Sequence, residues 1–310
     1  MPQFFERFRD ELARYAEGVH RLGEPARAAD VRGLPAELAS FLRSWNGGDL
    51  FVDAFTLRAA DAVERDGELL IFGETAGGDR LALDEKGRVL RLEEDTGEVL
   101  VEGSGFARWL EAMVVAEGVI YDREGEFREE VFDDSGEELL PEAAERRERK
   151  ALRLDPAAPA PAWRLAKALA RLGQAAKAAR VLEELVARAP DFAWAWFDLG
   201  RLRRDAGKLA EAEEAFARAA ADGEYEHSAY FAAHAARTAA ARGDDLARAR
   251  HAARALELDR DLARTQRDAA ERLLTEDRRE EALEAAELAR ALRPGDLQTI
   301  ALLERALASR

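Results

Sequence analysis

The 310-residue chain contains no cysteine, a single asparagine and only four histidines. Without cysteine the chain can form no disulfide, no thiolate zinc site and no cysteine nucleophile, which suits the reducing cytosol. No histidine belongs to an H-E-x-x-H pattern, and the histidines are expected to be ordinary polar helix residues rather than metal ligands. We therefore expect no metal site and no cofactor. The histidines are His20, His227, His234 and His251.

Signatures of catalysis, of a membrane span and of a leader are also missing. The glycine-rich stretch Gly73–Gly78 is not followed by Gly-Lys-Ser/Thr, so it is not a P-loop. Ser104 lies in Gly-Ser-Gly rather than in G-x-S-x-G, and we predict that it caps a helix. No apolar run reaches the roughly 18 residues of a membrane span, and the acidic, amphipathic N-terminus does not resemble a signal peptide. These features predict a cytoplasmic protein that is not an enzyme.

The net charge of −16 is unevenly distributed along the chain. Residues 1–140 contain 33 acidic and 16 basic side chains, whereas residues 141–310 contain 30 and 31. An acidic domain repels nucleic acid and attracts basic proteins. We therefore expect a basic protein partner for residues 1–140 and no nucleic acid. A surface that is acidic only for solubility is the alternative.

The first 120 residues combine helix and strand patterns. Apolar residues at spacings of three and four predict a helix over Phe4–Leu22 and another from Pro35 to Asn46. A last helix follows Ser104, and five apolar segments between turn signals are typical of antiparallel strands. The strand segments are Leu50–Leu57, Glu68–Gly73, Arg80–Asp84, Arg88–Glu93 and Glu98–Val101. This order predicts an α+β domain with helices packed on an antiparallel sheet.

Three stretches of this region have a characteristic order and spacing. They are LPAELASFLRSWNGGDLF (34–51), IFGETAGGDRLALDEKGRVLRLEED (71–95) and GSGFARWLEAM (103–113). With them, residues 1–120 resemble the SUKH superfamily, the Smi/Knr-like domain. The resemblance implies a binding domain; many bacterial members look like immunity proteins against nuclease or deaminase toxins, and a fungal branch regulates wall synthesis. The matching motif residues are Leu34, Pro35, Trp45, Asn46, Gly47, Gly48, Gly78, Asp84, Phe106 and Trp109.

Residues 121–141 are polar and acidic, and we predict a hairpin followed by a connector. Pro141 is suited to the first turn of a helix, and the basic residues that follow it predict a basic helix. Residues 142–310 are then expected to form one helical array.

The stretch 196–219 shows how that array is built. Trp196, Leu199 and Gly200 have the spacing W-x2-L-G, and Ala212 and Phe216 have the spacing A-x3-F. This pattern resembles a tetratricopeptide repeat, which consists of two antiparallel helices in 34 residues. Gly200 and Ala212 are small where two helix backbones approach closely, and Phe216 is expected to pack on the first helix.

Residues typical of helix ends and turns recur at nearly fixed intervals. They extend the pattern to four repeats and a capping helix over Leu297–Ala308. Pro156, Pro190, Glu224, Arg260 and Pro294 occupy equivalent ends, although the third repeat is degenerate. The turns between the two helices of each repeat are marked by Gly173, Gly207, Gly243 and Asp277.

The first helices of tetratricopeptide repeats line a concave surface, and here they carry arginine and aromatic residues. We call this concave surface the predicted wall. Its arginine and aromatic side chains suit an anionic, partly apolar peptide. The acidic domain could also dock against this wall within the same chain, with two flexibly joined domains as the alternative. The predicted partner-binding residues are Trp163, Lys167, Arg171, Trp194, Phe197, Arg201, Arg204, Tyr230, Arg237, Arg264 and Arg267.

Three functions remain open from the sequence. The first is an immunity or toxin-neutralising protein, which the SUKH resemblance and the acidic charge favour. The second is a scaffold or adaptor that holds an endogenous protein through its repeats. The third and most distant is an enzyme with an unrecognised site.

Overall fold

The computed structural model describes residues 5–308, and the chain divides into two compact units, Met1–Val181 and Leu182–Arg310. The first unit extends beyond the expected domain boundaries at residues 120 and 141, because two further helices pack onto the α+β domain. Among the described residues, no helix is long and apolar enough to cross a membrane.

The first unit contains an eight-stranded antiparallel sheet, five complete α-helices and a 3-10 turn at Glu129–Val131 among its described residues. The strand order is β1-β2-β3-β5-β6-β7-β8, and β4 pairs with β5. In chain order the elements are α1 (Glu6–Leu12), β1 (Arg21–Leu22), α2 (Ala36–Leu42), β2 (Gly48–Leu50), β3 (Phe55–Leu57), β4 (Glu64–Asp66), β5 (Leu69–Thr75), β6 (Arg80–Leu83), β7 (Val89–Leu92), β8 (Val99–Gly103), α3 (Phe106–Glu117), α4 (Pro141–Leu154) and α5 (Pro159–Arg171).

Aromatic side chains from three helices and the sheet form the core of this unit. The ring of Phe41 lies 6.1 Å from that of Phe8 and 5.5 Å from that of Phe106, while Phe72 lies 5.2 Å from Phe106. These pairs are edge-to-face, a geometry that contributes about 0.5–1.5 kcal/mol per pair beyond area burial. The predicted packing of helices on an antiparallel sheet is confirmed.

The first helix is much shorter than predicted. It ends at Leu12 rather than Leu22, because Gly18 adopts a left-handed φ of 93° and the amide of Ala16 bonds to the carbonyl of Arg123 at 2.7 Å. Local turn hydrogen bonds continue from Ala13 to Tyr15, and a tertiary hydrogen bond takes over at Ala16. Phe4, the first residue of the predicted helix, lies outside the described residues.

The predicted strand Leu50–Leu57 is interrupted by a left-handed turn. Phe51, Val52 and Asp53 have φ values of 55°, 51° and 74°, so β2 and β3 form a tight hairpin instead of one strand. Such a conformation costs non-glycine residues on the order of 1–3 kcal/mol each, and it is most unusual for a β-branched valine. Burial of the Phe51 ring, which is 1% exposed, offsets part of this cost.

Helix α2 ends at Leu42, before the Asn-Gly-Gly sequence that was expected to end it, and this sequence has a different role. Asn46 Oδ1 accepts a hydrogen bond from the amide of Ala60 at 2.7 Å. A Cβ atom on Gly47 would lie 2.5 Å from the carbonyl oxygen of Leu57, and one on Gly48 would overlap the carbonyl oxygen of Arg21. Only glycine therefore allows the neighbouring backbone segments to approach this closely.

The region 121–141 is folded, and it leads into helices that pack on the α+β domain. Isolated β-bridges join Tyr121 to Phe127 and Phe132 to Leu139, which gives two small hairpins. Helix α4 then packs on α3, and α5 packs on α4 and β8. The prediction that Pro141 starts a helix is confirmed.

Ser104 does not cap α3, contrary to the sequence prediction. Its amide and hydroxyl donate to the two carboxylate oxygens of Asp155 at 2.6 and 2.7 Å, and Asp155 lies at the end of α4. The first turn of α3 is instead capped by Glu37 of α2, which accepts from the amide of Ala107 at 3.0 Å. Ser104 thus fastens α4 to the strand that precedes α3.

The remaining helices form the predicted series of helix pairs. Their bounds are α6 (Ala175–Arg188), which contains the division between the units, α7 (Ala193–Asp205), α8 (Leu209–Ala219), α9 (Ser228–Ala241), α10 (Asp245–Leu258), α11 (Leu262–Thr275), α12 (Arg279–Leu292) and α13 (Leu297–Ala308). The predicted turn residues Gly173, Gly207, Gly243 and Asp277 have left-handed φ values of 70°, 75°, 74° and 59°. The turns within the repeats and the helix over Leu297–Ala308 therefore lie where the sequence predicts them.

The second repeat shows why its small residues are needed. Leu199 and Phe216 are fully buried, and a Cβ atom on Gly200 would lie 2.8 Å from the ring of Phe216. Trp196 lies at the edge of this contact and donates its ring N–H to the carbonyl of Pro190 at 2.9 Å.

Candidate partner-binding surfaces

An arginine cluster lies on the first helices of the second and third repeats. Arg204 of α7 and Arg237 of α9 both contact Glu284 of α12, at 3.4 and 2.7 Å, and Arg237 also contacts Glu287 at 2.9 Å. The predicted basic wall is therefore partly neutralised within the second unit. An anionic ligand would have to compete with these two carboxylates.

The arginines of this cluster stabilise the negatively charged form of neighbouring groups. Burial alone would raise the pKa of Glu284, but the charge and hydrogen bond of Arg237, with the charges of Arg204 and Arg201, hold its pKa below the usual value. Burial raises the pKa of Tyr230, which faces the same charges. Arg201, Arg204, Tyr230 and Arg237 are thus brought together as predicted from the sequence.

A cavity of about 430 Å³ opens beside this cluster. Its volume falls within the range of small-molecule pockets. Arg248 lines it as well and donates to the carbonyl of Ala291 at 3.1 Å, while the exposed Arg290 has no charged partner among the described residues. The charged lining residues are Arg204, Arg237, Asp245, Arg248, Glu287 and Arg290.

Two aromatic residues of the predicted wall pack against the interior, and one of them, Phe197, is buried. Phe197 is 5% exposed, and its ring lies 5.5 Å from Phe216 and 4.9 Å from Phe231. Trp194 is half-buried against Phe197 and Phe231, at 5.5 and 5.1 Å. Phe197 therefore packs two repeats together and is not available to a partner.

His234 lies in the same aromatic cluster, 5.0 Å from Phe197 and 4.6 Å from Tyr230. It is 1% exposed, and neither ring nitrogen has a hydrogen-bond partner among the described residues. Burial, reinforced by Arg237, lowers its pKa well below the usual value, so this histidine stays neutral. It is a buried ring in an aromatic cluster rather than the ordinary polar helix residue expected from the sequence.

The last two predicted arginines do not join the cluster. Arg264 pairs with Asp261 at 3.2 Å on the surface of its own helix. Arg267 pairs with Asp268 and Asp296 at 3.0 and 3.5 Å. Exposed pairs of this kind contribute little to stability.

The predicted wall residues of the first repeat lie in the first unit. The ammonium group of Lys167 lies 4.6 Å from the ring centroid of Trp163, a cation–π contact. Arg171 contacts Glu138 at 3.2 Å and donates to the carbonyl of Leu139 at 3.2 Å. Arg171 is therefore already paired with the acidic segment that precedes α4.

A buried ionic cluster, which the sequence did not reveal, joins α3, α4, α5 and β8. Arg164 forms two hydrogen bonds of 2.7 Å to Glu102 and one of 3.1 Å to Glu148. Arg147 contacts Glu148 and Glu117 at 2.5 Å. Burial alone would raise the pKa of Glu102, but Arg164 keeps it below the usual value.

This cluster is structural rather than a ligand site. The cavity beside it has a volume of only about 50 Å³, far below the roughly 300–1,000 Å³ of ligand pockets. A sequence signal did exist: Arg164 interrupts an α5 helix that is otherwise rich in alanine and leucine, and Glu148 is an acidic residue within a basic stretch of α4.

The motif residues of the first unit have structural roles. Asp84 accepts from the amides of Lys86 and Arg88 at 3.0 and 2.8 Å and so shapes the β6–β7 turn. Gly78 has a φ of 87°, and a Cβ atom there would overlap Glu94. Leu34 and Trp45 pack against the core and Pro35 precedes α2, while Phe106 and Trp109 are buried in the core.

His20 makes the stability of the first unit depend on pH. Burial lowers its pKa to about 4, and its Nδ1 accepts from the amide of Phe51 at 3.3 Å between the rings of Tyr15 and Phe51. The unfolded chain therefore binds this proton more readily, and stability falls as pH drops below about 6.5. We expect the unfolding free energy to decrease from pH 7 to pH 5, measured by urea denaturation.

His20→Asn keeps an acceptor near the Nδ1 position and cannot titrate. This variant should lose less stability than the wild type between pH 7 and pH 5. Equal losses in the two proteins would show that His20 is not the titrating group.

Among residues 5–308, no group of three or more histidine, aspartate and glutamate side chains is placed to hold a metal ion. A tetratricopeptide repeat family model matches residues 159–202, which cover α5, α6 and most of α7. No curated protein matches the chain. Together with the helix pairs and their turns, the family match identifies tetratricopeptide-like repeats, a fold for protein–protein interaction.

Solved structures similar to this chain include other repeat proteins. PilF of Pseudomonas aeruginosa is 18% identical over 55% of this chain and 76% of its own, with a TM-score of 0.39. YrrB, described as a TPR protein with an unusual peptide-binding site, is 16% identical over 52% and 82%, with a TM-score of 0.35. TTC0263, a thermophilic TPR protein of Thermus thermophilus, is 25% identical over 54% and 91%, with a TM-score of 0.35.

Proposed function

We propose that this chain is a non-enzymatic, cytoplasmic binding protein whose acidic first unit holds a basic partner protein. In this role it would resemble the immunity proteins of the SUKH superfamily, with the partner a toxin. The observation that carries the proposal is the charge distribution: residues 1–140 contain 33 acidic and only 16 basic side chains. Complementary charge speeds association and selects among partners.

Further support comes from the roles of the motif residues. Gly47 and Gly48 allow close backbone approaches, Asp84 shapes a strand turn, and Trp109 lies in the core. Residues with such roles define a domain rather than a catalytic site. The tetratricopeptide repeats supply a second protein-binding element in the same chain.

Co-expression tests the proposal directly. Each protein encoded beside this gene is expressed in a sensitive host with and without the full chain, and growth is measured. We expect one basic neighbour to be toxic alone and harmless when the chain is present. If no neighbouring product is toxic, or if none binds the purified chain, the immunity function is wrong.

A scaffold that binds an anionic peptide through its repeats is the second candidate. The 430 Å³ cavity with Arg204, Arg237, Arg248 and Arg290 favours it. This function requires no toxin gene nearby. Binding of an acidic peptide that is weakened by Arg237→Gln, but not by replacing the exposed Arg218 of α8, would favour the scaffold.

A further inference from the structure

Four aromatic rings form a column in the first unit, and its third ring is exposed at the surface. Phe51 stacks on Tyr121 at 4.9 Å, Tyr121 lies 4.9 Å from Phe127, and Phe127 lies 5.8 Å from Phe132. Phe51 is 1% exposed and Tyr121 8%, whereas Phe127 is 61% exposed. The column therefore anchors an exposed phenyl ring on a rigid, buried base.

A second exposed apolar side chain lies beside this column. Val52 is 59% exposed, and its amide bonds to the carbonyl of Val19 at 3.0 Å. A Cβ atom on Gly125 would lie 3.1 Å from Val52 Cγ2, and Gly125 is two residues from Phe127 in the same small hairpin. Val52 thus lies against the hairpin that carries Phe127, and we call these two exposed side chains the Val52–Phe127 surface.

The left-handed turn holds Val52 in this position. Phe51, Val52 and Asp53 all have positive φ, although none is glycine. Strained backbone of this kind persists only where the surrounding structure enforces it, and it often marks a functional position. Here the strain presents a β-branched apolar side chain to solvent while Phe51 points into the core.

Acidic residues adjoin the Val52–Phe127 surface. Asp53 follows Val52 but is paired with Arg21, whereas Glu124 and Glu126 flank Gly125 and are exposed. The segment 122–138 contains nine acidic residues and two arginines. Exposed apolar atoms inside a charged rim are the pattern of a protein-binding surface, and the sign of this rim excludes nucleic acid and anionic lipid.

We propose that the Val52–Phe127 surface binds a basic protein segment that inserts an apolar side chain between Val52 and Phe127. Lysines and arginines beside that apolar residue pair with Glu124, Glu126 and their neighbours. The inference rests on the proposed function, because it locates the surface on which the acidic unit holds its basic partner.

A labelled synthetic peptide tests the inference with the full-length chain. In the peptide, arginines and lysines flank a central leucine, and binding is measured by fluorescence anisotropy. Val52→Asn removes the apolar group but suits the left-handed backbone, since asparagine tolerates positive φ. We expect Val52→Asn and Phe127→Ser each to weaken binding about tenfold, as truncation of a binding hot spot does.

Control variants show whether peptide binding depends on the Val52–Phe127 surface or only on the overall negative charge of the chain. Val99→Ser removes another exposed apolar side chain, and Glu85→Lys reverses an exposed charge in the β6–β7 turn. Both should leave the affinity nearly unchanged, whereas Glu124→Lys with Glu126→Lys should abolish binding. Replacing the central leucine of the peptide by serine should weaken binding to the wild type but not to Val52→Asn.

The outcomes distinguish this inference from the proposed function. If the peptide binds all apolar variants equally and responds to every charge reversal alike, the Val52–Phe127 surface is wrong and the acidic unit remains the binding element. If the wild type does not bind the peptide at all, both are contradicted. Dimerisation of the chain that is lost in Phe127→Ser, seen by light scattering, would assign the surface to a second copy and overturn the inference.

Discussion

Replacing Arg164 by methionine is expected to destabilise the first unit by about 3 kcal/mol. The change leaves Glu102 without its ion-pair partner and Glu148 with Arg147 alone, and these two glutamates are only 9% and 3% exposed. Breaking a buried ion pair by removing one partner costs roughly 3–5 kcal/mol, and the 26% exposure of Arg164 favours the lower end. Urea denaturation followed by tryptophan fluorescence measures the loss.

Adding a second substitution to Arg164→Met shows whether the unpaired charge or the lost packing causes the loss of stability. Arg164→Met with Glu102→Met removes both partners of the buried pair and should recover most of the stability, since an apolar replacement of a whole pair is often neutral. Arg153→Met, at an exposed position of α4, should have little effect. An Arg164→Met protein as stable as the Arg153→Met protein would show that α5 is not held by this cluster.

Replacing Gly200 by leucine is expected to destabilise the second unit by about 1–3 kcal/mol. Even the Cβ atom would lie 2.8 Å from the Phe216 ring, which is fully buried and cannot move away. Overpacking costs roughly 1–3 kcal/mol, and the better helix propensity of leucine offsets no more than about 1 kcal/mol of it. Thermal unfolding of the full chain measures the change.

The matched control is Ala210→Leu on α8, because Ala210 is exposed. That variant should unfold at nearly the wild-type temperature. If Gly200→Leu is equally harmless, the close packing of α7 on α8 at this position is wrong.

The helical repeats could be read from the sequence because their signals are local. The two helices of each repeat are joined by a short turn that needs a left-handed residue, and Gly173, Gly207, Gly243 or Asp277 marks that position. Small residues and Phe216 then recur at spacings set by the helix period. The capping helix was predicted to the residue for the same reason.

Features that depend on distant contacts could not be read in this way. Helix α1 ends early because residue 123 supplies hydrogen bonds to residue 16, and Ser104 bonds to Asp155 instead of capping α3. Strand β4 is exposed along its whole length, so it has no apolar pattern to detect. The left-handed turn at Val52 contradicts the backbone preference of its own residue.

The placement of the candidate binding residues could be predicted only in part, for a similar reason. The helix period correctly brought Arg204 and Arg237 together on successive repeats. It could not show that Glu284 and Glu287 of α12 neutralise them, because that contact joins residues 47 or more positions apart. Phe127 and Val52 were missed because neither belongs to a periodic element.

Hydrogen exchange of the full chain, measured with and without the basic peptide, tests the central claim most directly. The account predicts slower exchange on binding in residues 51–53 and 121–128 of the first unit, with the effect lost as salt rises to 1 M and the Debye length falls to about 3 Å. Slower exchange confined to α7 and α9, with residues 51–53 and 121–128 unchanged, would contradict it.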